Sequence, residues 1–228
     1  MEEKIFSRTE LLIGKEGIER LDKSKVAIVG IGGVGSYAAE ALARAGVGTL
    51  ILVDPDIICP SNLNRQIHAL HSTLGLPKVD VMKNRILDIN PDAKVISIRE
   101  FYSEKTSEKI LSGNYDYVVD AIDSLASKVN LIIKCKKINI PIISAMGAGN
   151  KLDPTKFQVA DISETSVCPM ARKIRKELRK NGIQKGVKVV FSNEAPLKNQ
   201  HPPSSISFVP SVMGLIIAGE VINYLIKN

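Results

Sequence analysis

Apolar residues fall into short runs separated by stretches of helical spacing, and the two alternate along most of the chain. The run Lys25–Gly30 (KVAIVG) is apolar on both faces, as a strand inside a parallel sheet must be. Val34–Ala45 is rich in Ala and predicts a helix, and Thr49–Asp54 (TLILVD) predicts a second strand. Pro77 suits a helical first turn and opens a helix running towards Asn90. Lys94–Arg99, Tyr115–Ala121 and Pro141–Ala145 read as the third, fourth and fifth strands, with a helix over about Ser124–Lys137. A short helix over 15–22 precedes the first strand. Such alternation predicts βαβ units and an α/β, Rossmann-like, doubly wound fold with a mainly parallel sheet.

The alternation weakens after Gly147. Phe157–Ile162 and Val187–Ser192 read as strands joined by a basic helix, Pro169–Asn181, and an apolar helix covers about Pro210–Ile226. The C-terminal part is therefore expected to add antiparallel strands and helices to the sheet. Between them, Asn193–Ser207 is rich in Pro, Ser and polar residues and predicts a surface loop over a site. No repeat or domain boundary is visible. Residues 1–228 read as one domain, with a nucleotide-binding part over about 15–145 and a substrate- or RNA-binding part over about 146–228.

Composition narrows the partners. Trp is absent and aromatics are 4%, so the core must be Ile, Val, Leu and Ala. The net charge of +7 favours an anionic partner, such as a nucleotide, a nucleic acid or an acidic protein; the alternative is a solvated basic surface. Cys59, Cys135 and Cys168 lie far apart with no CxxC, which argues against a zinc ribbon or a disulfide framework. The N-terminus (MEEKIFSRTE) has no apolar signal core, and the last apolar stretch is interrupted by Glu220 and Asn223. A cytoplasmic protein with no membrane span is expected.

The first strand runs into Gly30-Ile-Gly32-Gly33-Val-Gly35-Ser36, a GxGxxG between a strand and a helix. Glycine lets the backbone turn tightly and approach a phosphate, and the following helix offers free N–H groups to an anion. Asp54, 19 residues after Gly35, ends the second strand, where it can accept hydrogen bonds from a ribose. Gly30, Gly32, Gly33, Gly35 and Asp54 are thus candidate nucleotide contacts. Dehydrogenases share these features, so they do not choose the chemistry.

The next segment does. Asn62, Asn64, Arg65 and Gln66 form a polar cluster that a nicotinamide enzyme does not need, whereas a triphosphate needs such donors. Lys78 adds a compact charge at the start of a helix. Asp120 and Asp123 sit at the end of the fourth strand, on the edge that faces the ligand crevice of an open α/β sheet. Asp123 is the better candidate for Mg²⁺, and the alternative for Asp120 is a carboxylate capping the next helix.

GIGGVGS, DPDIICPSNLNRQ, GLPK and DAIDS together resemble the superfamily of ubiquitin-activating enzymes and their bacterial relatives in molybdopterin and thiamine biosynthesis. The match covers about the first 125 residues in the family's order. The resemblance implies carboxylate adenylation by MgATP, with Gly33 and its neighbours against ATP and Asp54 on the ribose. It further implies Asn62, Arg65, Gln66 and Lys78 on the phosphates and Asp123 on Mg²⁺. Arg8 occupies the place of an arginine that reaches across a homodimer to the partner's ATP; the alternative is a solvated surface arginine.

Two features sharpen the resemblance. The chain lacks the paired CxxC common in sulfur-carrier activators. Arg172, Lys173, Arg175, Lys176, Arg179 and Lys180 place six cations against one acid in nine residues, a footprint for RNA; the bland alternative is a solvated helix face. With VVFSNE and SISFVPSVMG, this segment resembles the tRNA threonylcarbamoyladenosine dehydratases over nearly the whole chain. That implies adenylation of the threonylcarbamoyl carboxylate in tRNA beside the anticodon, followed by ring closure. It leaves room for sulfur-transfer or redox partner proteins. Because the closure is intramolecular, Cys168 reads as a non-catalytic thiol. His68 and His71 are expected to pack or hydrogen-bond locally, and His201 to sit in the loop near RNA. The competing readings are adenylation of the C-terminal glycine of a ubiquitin-like sulfur carrier, a non-catalytic RNA- or nucleotide-binding module, and a nicotinamide dehydrogenase.

Overall fold

A computed structural model describes residues 5–197 and 204–227. Among these residues, seven strands form one sheet: β1 (Lys25–Val29), β2 (Thr49–Val53), β3 (Lys94–Ile98), β4 (Tyr117–Asp120), β5 (Ile142–Ala145), β6 (Phe157–Asp161) and β7 (Lys188–Ser192). Their order is β3-β2-β1-β4-β5-β7-β6, parallel except for β6, which runs antiparallel to β7. The predicted mainly parallel sheet is therefore present, and its antiparallel addition is this one edge strand.

Among the described residues, seven α-helices cover the faces: α1 (Ser7–Lys23), α2 (Gly35–Ala45), α3 (Lys78–Ile89), α4 (Glu104–Leu111), α5 (Leu125–Lys137), α6 (Pro169–Lys180) and α7 (Phe208–Leu225). Alternate strand residues point to opposite sides, which gives two cores. Val26, Ile28, Leu50 and Leu52 pack under α2, α3 and α7. Ala27, Val29, Ile51 and Val53 pack under α4, α5 and α6. α7 is long and apolar enough to cross a membrane, yet half of it is buried inside the fold, with Met213, Ile217 and Val221 in the first core.

Two helices differ from the sequence pattern. α1 extends to Ser7, well before the predicted start at 15, with a break at Gly14 (φ 74°, ψ 168°). Its first turns expose Leu11 and Leu12 at 82% and 85%, so no buried stripe marks them. α4 was not predicted at all. Only Ser107, Ile110 and Leu111 of its eight residues are buried, too few to set a helical period.

The order reverses between β1 and β4: the chain first builds β2 and β3 on one side of β1, then β4 and β5 on the other. A crevice opens outside the carboxyl ends of the strands at such a point. The predicted nucleotide residues Gly30, Gly32, Gly33, Asp54, Asn62, Arg65, Gln66, Lys78 and Asp123 line that crevice.

Candidate active site

A cavity of about 850 Å³ runs along this edge. At one end are Gly32, Gly33, Asp54, Arg65, Lys78 and Asp123; Asn62 and Gln66 also line it. The structure thus brings the predicted nucleotide residues together, with two exceptions. Arg8 is exposed on α1 and does not line the cavity of its own chain. Gly35 is buried behind the turn and does not line it either.

The glycines divide by what a side chain would meet. Gly30 has φ 94°, and a Cβ there would stand 2.6 Å from the Ala121 carbonyl oxygen. At Gly35 a Cβ would fall 1.8 Å from the Gly30 carbonyl oxygen. These two close the turn against β4 and itself. Gly32 has only the Gln66 side chain at 3.9 Å, so its open face is available to a ligand.

Asp54 is buried and held by two backbone donors: Ile31 N–H at 2.7 Å and Asp56 N–H at 2.9 Å. Burial pushes its carboxyl above the ordinary range, against the opposing pull of Lys78 and these two amides. Lys78 is buried as well, with Nζ 2.7 Å from Asp56 Oδ2 and 3.8 Å from Asp54 Oδ1. Asn62 accepts the Cys59 N–H through Oδ1 at 3.0 Å, which fixes the polar loop. Arg65 donates to the Ser61 carbonyl at 2.7 Å and Asn64 Oδ1 at 2.8 Å, so its guanidinium is oriented at the cavity wall. Gln66 Oε1 is buried without a hydrogen-bond partner among the described residues. Asp123 is exposed in the cavity and makes no protein hydrogen bond among the described residues.

Asp120 belongs to a different layer: it is the structural carboxylate of the alternative reading, but it does not cap the next helix. It is fully buried and paired with the equally buried Lys128, Nζ to Oδ1 2.8 Å. Ser144 Oγ donates to its Oδ2 at 2.5 Å, and Ile122 N–H to its Oδ1 at 3.1 Å. The group ties β4 to β5 and α5 and sets the turn that presents Asp123. Sequence reasoning missed Lys128. Its signal was a lysine on the apolar stripe Lys128-Leu131-Ile132-Cys135, where a cation must find a buried partner.

The described ends of the loop after β7 reach the cavity. Pro196, Ser204 and Ser205 line it. Asn150 binds Ser204 through Oδ1 and its own N–H, and Asn64 donates to the Ser205 carbonyl at 3.0 Å. His201 lies outside the described residues.

α6 buries Ala171, Ile174 and Leu178 and turns Arg172, Lys173, Lys176, Arg179 and Lys180 to solvent. Arg175 is corrected as a free cation. It donates to the Thr165 carbonyl at 2.7 Å and Thr165 Oγ1 at 2.5 Å, which anchors the helix instead. Lys180 is paired with Glu177 at 2.8 Å. Cys168 is buried just before α6, on the cavity wall.

His71 is exposed, whereas His68 is 1% exposed with neither ring nitrogen hydrogen-bonded among the described residues. Burial, with Lys78 and Arg85 nearby, lowers its pKa to about 4. The unfolded chain therefore binds the extra proton between about pH 6.5 and 4, so stability is full above 6.5 and falls through that window. About 2 kcal/mol should be lost between pH 7.5 and pH 5. Urea titrations at the two pH values check this, and His68→Leu should flatten the difference.

The model of the ThiF family matches residues 6–228. The tRNA threonylcarbamoyladenosine dehydratase of Bacillus subtilis is 52% identical, over 98% of this chain and 95% of that protein. The Escherichia coli tRNA N6-threonylcarbamoyladenosine dehydratase in complex with ATP superposes with a TM-score of 0.94 at 38% identity, covering 97% of this chain and 93% of that one. The Escherichia coli sulfur carrier protein ThiS adenylyltransferase is more distant, 36% identical over 64% of this chain and 60% of that protein. The chain belongs to the ThiF family and, within it, to the tRNA threonylcarbamoyladenosine dehydratases.

Proposed function

We propose that the chain uses ATP to cyclise N6-threonylcarbamoyladenosine in tRNA, beside the anticodon, with loss of water. The observation that carries this reading is one cavity on which a glycine turn, the buried Asp54 and the side chains of Asn62, Arg65, Gln66 and Lys78 converge. The family membership selects the substrate. In the first step a carboxylate oxygen attacks the α-phosphorus, and the bond to pyrophosphate breaks. In the second the neighbouring carbamoyl group attacks the acyl carbon, gives up a proton to solvent and expels AMP.

The chain's task is to hold and neutralise the triphosphate. Asp54 takes the ribose, Gly32 and Gly33 let the phosphates approach, and Asn62, Arg65, Gln66 and Lys78 bind them. Asp123 would hold Mg²⁺. One free carboxylate suits that ion, which keeps waters and takes its other ligands from phosphates. The cytoplasm, where ATP and tRNA meet, is the compartment this reading implies.

Arg8 completes the site from a second copy. Leu11 and Leu12 stand exposed on the same arm, an apolar pair that a homodimer would cover. The free cations of α6 contact tRNA phosphates. Arg172→Ala, Lys176→Ala and Arg179→Ala should each weaken tRNA binding and reduce the salt slope of log K by about 1. Arg175→Ala should leave that slope alone and lower the thermal midpoint. Filter binding at several salt concentrations separates the two classes.

Pyrophosphate release by the purified chain tests the assignment. Stimulation by threonylcarbamoyladenosine-bearing tRNA is expected. Stimulation by a ubiquitin-like carrier instead would make the chain a sulfur-carrier activator.

A further inference from the structure

The far end of the cavity contains a cation with no role in the nucleotide site. Lys151 follows β5, lines the cavity and is 4% exposed. Its ammonium donates to the Glu194 carbonyl, and no carboxylate lies within 4.0 Å of it among the described residues. The Glu194 carboxylate is close but turned away, accepting the Leu152 and Asp153 N–H groups at 2.9 Å each. A buried ammonium with one neutral acceptor is short of an anion. Burial lowers its pKa, with Glu194 and Cys168 opposing.

Position indicates which anion is missing. The nucleotide residues occupy the β2, β1 and β4 end of the edge. Lys151 comes after β5, the next strand along the sheet, near Cys168 and beside the Asn150–Ser204 tie. α6 also begins at this end with no side-chain cap, its first amides adding positive potential. The obstacle to adenylation is repulsion between an incoming carboxylate and the phosphates, and a cation on the substrate side offsets it.

We propose that Lys151 docks the free carboxylate of the threonylcarbamoyl group and holds it for attack on the α-phosphate. Its ammonium keeps its proton throughout: the carboxylate oxygen bonds to phosphorus, and pyrophosphate leaves with the electron pair of the broken P–O bond. The inference rests on the proposed function and adds a substrate-positioning residue to it.

Lys151→Gln separates this role from a structural one. Glutamine keeps a donor for the Glu194 carbonyl and loses only the charge. With the full chain, the KM for threonylcarbamoyladenosine-bearing tRNA should rise about tenfold or more in Lys151→Gln. The KM for ATP should stay within about twofold, and Lys151→Arg should keep the tRNA KM within about threefold. An unchanged tRNA KM in Lys151→Gln, or equal rises in both constants, overturns the inference. Absence of turnover in the unaltered chain would instead overturn the functional reading beneath it.

Discussion

Replacing Lys78 by alanine is expected to lower the rate of adenylate formation by about 10²–10³. In the chain alone its ammonium is shared between Asp56 at 2.7 Å and Asp54 at 3.8 Å. The Asp56 side chain is 62% exposed, so water can solvate that carboxylate when the lysine leaves it. Phosphate is the stronger partner inside a walled cavity, because charges interact more strongly away from bulk water. Folding should change little, since Asp54 keeps its Ile31 and Asp56 donors. Single-turnover pyrophosphate release, read beside the thermal midpoint, checks both statements. A loss under tenfold, or a collapse of the midpoint, would place Lys78 in the scaffold and not in the chemistry.

Lys128→Met should have the largest effect on stability, about 3–5 kcal/mol. Asp120 would remain fully buried with only Ser144 Oγ and Ile122 N–H as donors. Desolvation alone pulls the Lys128 pKa down, so the pair stands on its close geometry and on Ser144, which Nζ also reaches at 3.3 Å. Adding Asp120→Asn removes the orphaned charge, and the double variant should lose less than the sum of the single variants. Urea midpoints of the four proteins measure this coupling. Additive losses would show that the two groups act separately.

What could be read from the chain followed from how each signal is made. β1, β2 and β4 are buried on both faces, so their apolar runs had no competing explanation. The glycine turn, Asp54, the Asn62–Gln66 loop, Lys78 and Asp123 are local in sequence or end a strand, and the parallel sheet carries strand ends to one edge. α4 and the start of α1 were hidden because neither buries a full stripe. The partners of Asp120 were not legible, because Lys128 lies on the next helix and Ser144 on another strand. Arg175 looked equivalent to its neighbours by helical spacing, yet it borders the buried face and reaches Thr165. Lys151 carried no signal beyond its position after β5, since its burial depends on the loop returning through Glu194 and Ser204.

Purified chain, ATP, magnesium and tRNA carrying N6-threonylcarbamoyladenosine should give the cyclised nucleoside, with AMP and pyrophosphate formed in equal amounts, as read by mass spectrometry of digested tRNA. Unchanged nucleoside under those conditions, with tRNA and nucleotide both bound, would contradict the proposed cyclisation.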